Sequence, residues 1–186
     1  MLAKLSDYFH SKVKPLNILI AVGTHLFFGF LILPKMQTII DQKGGTPVLD
    51  LRFGYSPQKA YEILNIFGQN GREAYFFTEV FIDVLYPIVY SIAFSLLLSL
   101  FFQKSYSKSH YFQKFNIFPF FVGIADLFEN IGILILLANF PKQIIWAAHF
   151  ASWAGLVKWG ATLFNLILLL TGIISWGLMT LVKPKR

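Results

Sequence analysis

Apolar residues form four long runs along the chain, and charged residues are concentrated between them. The runs cover residues 16–34, 78–102, 117–140 and 152–182. An α-helix rises about 1.5 Å per residue, so roughly 20 apolar residues cross the hydrocarbon layer of a bilayer. The helices of a soluble domain would instead show shorter apolar runs interrupted by polar faces. The pattern predicts an all-α integral membrane four-helix bundle, with residues 1–186 forming a single membrane domain.

The segment between the first two runs, residues 35–77, has a different character. It carries charges of both signs and several glycines and prolines, which predicts a structured loop outside the membrane. Ser56 followed by Pro57 is typical of a helix start, and apolar residues then recur at helical spacing. We therefore expect a short amphipathic helix lying on the outer leaflet. Its apolar residues are Ala60, Ile63, Leu64 and Phe67.

Two features predict the course of the second long helix. Asn70 stands three residues before Glu73, a capping-box pattern that would open the helix well before the bilayer. Pro87 lacks a backbone N–H and so removes one helical hydrogen bond. We therefore expect a protruding helix with a kink near Pro87.

The fourth helix is longer than a bilayer requires if it extends before residue 152. In that case residues 143–151 are expected to stand above the membrane or to lie along it. Gly155 and Gly160 are the expected positions of a bend.

Basic residues flank the apolar runs in three clusters, and these predict the orientation of the chain. With four spans, all three clusters fall on one side of the membrane, and an excess of Lys and Arg marks the cytoplasmic side. The N- and C-termini are therefore predicted to be cytoplasmic, in a bacterial inner membrane. The clusters are Lys4, Lys12 and Lys14; Lys104, Lys108 and Lys114; and Lys183, Lys185 and Arg186.

Composition supports the membrane assignment and limits the chemistry. The chain is 56% hydrophobic and 13% charged, with a mean hydropathy of +0.61. Its net charge of +7 is explained by the three basic clusters, so membrane lipids rather than nucleic acid are the expected partners. Whether it forms a homo-oligomer or joins a larger membrane complex stays open. With no Cys and four His, the sequence predicts no metal site, and any cofactor stays unknown.

Charged and strongly polar residues also occur within the predicted spans, where they are costly unless they face a bundle interior or a cavity. Steps of three and four residues place them on one face of each helix. We expect these faces to converge, with Lys158 contacting at least one of Asp83, Asp126 or Glu129. The polar residues are Arg72, Tyr75, Glu79, Asp83, Tyr86 and Tyr90 on helix two; Asp126, Glu129 and Asn130 on helix three; and Lys158, Thr162 and Asn165 on helix four.

Acids outnumber bases among these residues, so at least one carboxyl group should be protonated, bound to a cation or paired with a ligand. A purely structural role, in which one buried ion pair fixes the helix register, is the alternative. The candidate catalytic residues are Asp83, Asp126 and Glu129. The candidate ligand-binding residues are Arg72, Glu79, Tyr86, Asn130, Lys158, Asn165 and His25.

Short motifs within about residues 51–170 resemble a family of small bacterial four-span integral membrane proteins without an assigned activity. The resemblance implies the four-span fold and supplies no catalytic residue. The motifs are Gly54-Tyr55-Ser56-Pro57, Gly71-Arg72, Asp83 with Tyr86-Pro87, Asp126 with Glu129-Asn130, and Lys158-Trp159.

Three functions are compatible with this pattern. The first is an outer-side polar cavity that binds a lipid or an amphipathic small molecule, with acid–base chemistry by the carboxyl groups and Lys158 holding an anionic group. The second is a proton- or cation-coupled transport component. The third is an accessory subunit whose polar stripes pair with another chain.

Overall fold

The computed structural model describes residues 2–182, which contain helices and no strand. Four helical stretches are long and apolar enough to cross a membrane, with mean hydropathies between 1.6 and 2.1. The prediction of an all-helical chain with four such stretches is confirmed, and their composition is that of a multi-pass membrane protein. The third basic cluster lies outside the described residues. The α-helices are α1 (Leu2–Ser11), α2 (Pro15–Phe27), α3 (Leu33–Ile40), α4 (Pro57–Ile66), α5 (Gly68–Phe77), α6 (Tyr86–Ser105), α7 (Pro119–Asn139) and α8 (Ile145–Val182).

The first span, Pro15–Ile40, joins α2 and α3 through the π-helical turn Phe28–Ile32. Pro34 follows this turn and has no N–H to donate within the helix, so the wider turn accommodates the proline. The span continues past Pro34, where the apolar run was expected to end. No residue of α2 is buried, whereas Ile40 at the end of α3 is.

The second predicted span is broken rather than kinked. α5 continues into the π-helical turn Thr78–Ile82, the helix stops at residues 83–85, and α6 starts at Tyr86. Pro87 cannot donate to the carbonyl of Asp83, and the side chain of Asn130 on α7 does so instead, at 2.8 Å. The break is therefore stabilised from a neighbouring helix.

The predicted start of this helix is wrong. Asn70 lies inside α5, which already begins at Gly68 without a side-chain cap. Gly68 has a φ of 65°, so the chain turns there at a residue that tolerates the left-handed region. The glycine turn directly after α4 sets the helix boundary, which leaves no role for the capping-box pattern.

The short helix α4 forms as predicted but packs differently. Ser56 caps it, and its Oγ accepts from the backbone N–H of Lys59 at 3.2 Å. Ala60, Ile63 and Leu64 are completely buried, together with residues of α7 and α8. The apolar face is therefore covered by protein and does not enter a lipid leaflet.

Small residues bring α7 and α8 close together. A Cβ added to Gly132 would lie 2.6 Å from the Cβ of Ala151. α8 runs without interruption from Ile145, and Ala147 and Ala148 at its start are fully buried. One face of the first turns of α8 therefore packs against α4 and α7.

Near the C-terminal end of α6, the N-terminal helix α1 packs on the 3-10 helix Tyr111–Ile117. Ser6 donates to Asn116 Oδ1 at 2.7 Å, and Asn116 Nδ2 donates to Ser99 Oγ at 2.8 Å. We call Ser6, Ser99, Gln113 and Asn116 the amide–hydroxyl cluster. It ties α1 to the bundle through neutral groups.

Candidate functional site

Lys158 of α8 is the centre of the charged residues. Its Nζ lies 2.6 Å from Glu129 Oε2 and 3.3 Å from Asp126 Oδ1, and it donates to the backbone carbonyl of Asp50 at 2.9 Å. The expectation that Lys158 contacts one of the acids is confirmed for Asp126 and Glu129. An ammonium group carries three N–H donors, and three acceptors surround it here. The contacts of Lys158 Nζ are therefore all with acceptors of the protein itself.

Two neighbouring groups hold this ion-pair network in place. Asp126 and Glu129 are one turn apart on α7, and Tyr90 of α6 donates to Asp126 Oδ2 at 2.9 Å. On α8, a Cβ added at Gly155 would collide with the carboxylate of Glu129. Glycine at this position lets the carboxylate lie against the α8 backbone, one turn from Lys158.

A second group of acids lies beside the network. One carboxylate oxygen each from Asp50, Glu79 and Asp83 lie within 4.8 Å of one another, and we call these residues the acid trio. In residues 2–182 no Lys, Arg or His forms an ion pair with any of them. Glu79 is completely buried, and neither of its carboxylate oxygens has a hydrogen-bond partner among those residues.

Tyr75 orients the first member of the trio. Its hydroxyl accepts from the backbone N–H of Leu49 at 3.1 Å and donates to Asp50 Oδ1 at 2.9 Å. Burial, reinforced by the negative charge of Asp50, raises the pKa of the Tyr75 phenol well above its usual value. The phenol therefore stays neutral and remains a donor to Asp50.

A cavity of about 670 Å³ adjoins both acid groups. Its wall includes Asp50, Asp83, Asp126 and Lys158, while most of its other lining side chains are apolar or aromatic and come from the first span, α6 and α8. Leu51 and Leu166 also line it, and they are 53% and 41% exposed. The charged residues of the wall therefore lie together, the rest of the wall is mainly apolar, and the cavity opens to the surface of the bundle.

Two further polar residues predicted to bind a ligand line the cavity. The His25 ring stacks on Tyr86 at a centroid distance of 5.7 Å, and its Nδ1 has no hydrogen-bond partner among the described residues. Asn165 is 4% exposed, and in the same part of the chain its Oδ1 also has none. Asn165 Oδ1 can accept a hydrogen bond from a ligand, and His25 Nδ1 can accept or donate one according to the tautomer of the ring.

The structure separates the other predicted residues into two sets. Glu79, Glu129 and Asn130 are buried behind the cavity wall, where they contact or support the residues that line it. Asp83 and Asp126 are the candidate catalytic carboxylates that reach the wall itself.

Arg72 is not brought to the site. Its Nη1 donates to the carbonyl of Leu64 at 2.9 Å, and its guanidinium lies 3.9 Å from the centroid of the Phe140 ring. The side chain of Arg72 instead joins α5 to the end of α4 and to the α7–α8 connection.

Sequence reasoning missed Asp50. This residue belongs to the 3-10 helix Leu49–Leu51 in the loop that follows α3. Its flanks, Val48, Leu49 and Leu51, are apolar, and an acid within such a segment was the available signal. The loop was predicted to lie outside the membrane, so its acid was not considered with those of the spans.

Together the fold and this site define a helical protein of the multi-pass membrane class, with acid-lined space between its helices. No protein-family model, curated protein or solved structure matches the chain.

Proposed function

We propose that the chain binds an amphipathic small molecule or a lipid in the 670 Å³ cavity. The observation that carries the proposal is that the charged residues lie together in an otherwise mainly apolar cavity wall. Binding sites for small molecules commonly enclose about 300–1,000 Å³, with mainly apolar walls and a few polar groups that orient the ligand. An amphiphile would place its chain against the apolar side and its head near Asp126 and Asn165.

The charges around the cavity favour a particular kind of head. The acids exceed the bases, Lys158 is already surrounded by acceptors, and His25 and Asn165 offer unpaired atoms. A head that donates hydrogen bonds therefore fits, whereas a carboxylate would meet like charge. We expect hydroxyl or amine heads to bind more tightly than acidic ones.

We also propose the membrane, the orientation and the family of the protein. We place both termini in the cytoplasm of a bacterial cell, the loop with α4 on the outer side of the inner membrane, and the chain among the small four-span proteins that its motifs resemble. Support for the orientation comes from α1 and the 3-10 helix Tyr111–Ile117, which bring the first two basic clusters to one end of the bundle. Because the chain lacks Cys, a single cysteine at Lys59 or Lys108 can be labelled with a membrane-impermeant maleimide. Labelling of Lys108→Cys but not Lys59→Cys in intact cells would overturn this orientation.

Binding is tested with decanol, decylamine and decanoate, which share a chain length and differ in the head. Native mass spectrometry of the detergent-solubilised protein should show decanol and decylamine bound, and decanoate bound about tenfold more weakly. Asp126→Asn should reduce binding while the protein still inserts into the membrane. Equal binding of all three probes, or unchanged binding by this variant, would contradict the proposal.

A matched pair of substitutions separates the cavity from the rest of α8. Thr162 lines the cavity and Thr171 does not, yet each hydroxyl donates to the carbonyl four residues earlier. Thr162→Phe should fill the space and abolish decanol binding, whereas Thr171→Phe should leave it unchanged. Binding retained by Thr162→Phe would place the probe elsewhere.

A further inference from the structure

The acid trio differs from the ion-pair network beside it because it has no base. Asp126 and Glu129 are paired with Lys158, whereas the trio brings three carboxylates together without a Lys, Arg or His within ion-pair distance in residues 2–182. Three ionised groups this close repel one another strongly where water is scarce. The arrangement calls for a positive partner or for bound protons.

Glu79 supplies a separate observation that points to a bound partner. It is 0% exposed, and neither carboxylate oxygen accepts a hydrogen bond from the described residues. Buried polar atoms are nearly always satisfied in native proteins, so two orphan oxygens on one buried carboxylate require an explanation. One of its oxygens lies within 4.8 Å of those of Asp50 and Asp83, where a cation would satisfy it.

A different interaction or turn positions each member of the acid trio. The Tyr75 hydroxyl fixes Asp50, the π-helical turn Thr78–Ile82 carries Glu79, and Asn130 holds the backbone at Asp83. Such supporting hydrogen bonds orient the ligands in many metal sites. A broken helix beside buried acids is also a common way to build an ion site in a membrane protein.

We propose that Asp50, Glu79 and Asp83 bind one divalent cation of the Mg²⁺ or Mn²⁺ class. Carboxylate oxygens without His or Cys suit hard cations. Oxygens bound at about 2.1 Å lie at most roughly 4.2 Å apart, so small side-chain rotations close the remaining distance. Asp50 and Asp83 line the cavity, so water or a ligand there completes the coordination. This site goes beyond amphiphile binding and does not depend on it.

The test uses Mn²⁺ as the probe on the full chain in detergent, after treatment with EDTA and its removal, with no amphiphile added. Electron paramagnetic resonance of free Mn²⁺ should show one ion bound per chain, and excess Mg²⁺ should displace it. Glu79→Gln and Asp83→Asn should each weaken binding at least about tenfold. Glu62→Gln is the matched control, because Glu62 is exposed and pairs with Lys59, and it should bind Mn²⁺ as the wild type does.

Thermal unfolding distinguishes a lost site from a damaged fold. In EDTA, Glu79→Gln should unfold near the wild-type temperature, because without the cation the crowded carboxyl groups take up protons and a neutral Glu79 differs little from Gln. With Mn²⁺ present, the wild type should be stabilised and Glu79→Gln should not. Absence of Mn²⁺ binding by the wild type, or wild-type affinity in both Glu79→Gln and Asp83→Asn, would overturn the cation site. Neither result depends on decanol binding, so this proposal and the proposed function fail separately.

Discussion

The chain buries polar side chains near both ends of α6, but the two regions satisfy them differently. In the amide–hydroxyl cluster the groups are neutral and mostly paired: Asn116 accepts from Ser6 and donates to Ser99. Gln113 Nε2 donates to backbone carbonyls, whereas Gln113 Oε1 has no hydrogen-bond partner within residues 2–182. Such a cluster accounts for helix-to-helix adhesion without any ligand.

At the end of α6 that lies beside the cavity, several acidic side chains lie close to one basic residue, Lys158. The carboxylates of Asp126 and Glu129 share Lys158, and those of the acid trio have no base. Leaving a charged group unpaired in apolar surroundings costs far more than leaving an amide oxygen unpaired. The comparison indicates that the first region is explained by packing alone, whereas the second needs a bound partner.

The largest expected effect comes from removing Lys158, the basic residue of the cavity region. Lys158→Met leaves Asp126 and Glu129 buried without a counter-charge, and their side chains are 13% and 0% exposed. We expect a loss of about 3–5 kcal/mol in unfolding free energy, the range for breaking a buried ion pair. Chemical denaturation in detergent measures it.

A rescue variant provides the control for this loss. Combining Lys158→Met with Asp126→Asn and Glu129→Gln removes all three charges, so most of the stability should return. If Lys158→Met alone is as stable as the wild type, the carboxylates are already neutral, and the contrast between the two regions would disappear.

The sequence was sufficient to predict the helices but not their interruptions. Four apolar runs and the Ser56-Pro57 start indicate five of the helical elements, because their lengths and spacing are local properties. The break at residues 83–85 depends on Asn130, which lies 47 positions away from Asp83 and replaces the donor missing at Pro87. A proline alone predicts a kink, and only the neighbouring helix makes a full break stable.

The candidate site, like the fold, could be predicted from the sequence only in part. The spacing of Asp126 and Glu129 on α7, with Lys158 on α8, correctly indicated their contact. Asp50 was missed because its place in the site depends on the fold of a loop with little periodicity, through Tyr75 and Lys158. Arg72 was included because seven residues, about two helical turns, separate it from Glu79. That local spacing could not show that its side chain turns toward Leu64 and Phe140 instead.

A smaller loss of unfolding free energy should follow from adding a single methyl group in the cavity region. Gly155→Ala would place its Cβ against the Glu129 carboxylate and push it away from Lys158. We expect a loss of about 1–3 kcal/mol, as for other overpacked positions. Gly160→Ala on the same helix has no neighbour within 4 Å and should gain up to about 1 kcal/mol from helix propensity. Equal effects of the two substitutions in denaturation experiments would show that the close approach at Gly155 does not constrain Glu129.

The smallest effect is expected in the amide–hydroxyl cluster. Asn116→Leu removes three hydrogen bonds, two with Ser6 and one to Ser99 Oγ, and each such bond contributes about 1 kcal/mol net. The Ser6 hydroxyl can still donate to the carbonyl of Gln113, and the Ser99 hydroxyl keeps its hydrogen bond to the carbonyl of Ser95, so the total loss should be about 1 kcal/mol. Decanol binding and Mn²⁺ binding should be unchanged, because this cluster lies at the other end of α6 from the cavity. A loss as large as that of Lys158→Met, or a loss of either ligand, would mean that the two polar regions act as one unit and that neutral pairing is not what distinguishes them.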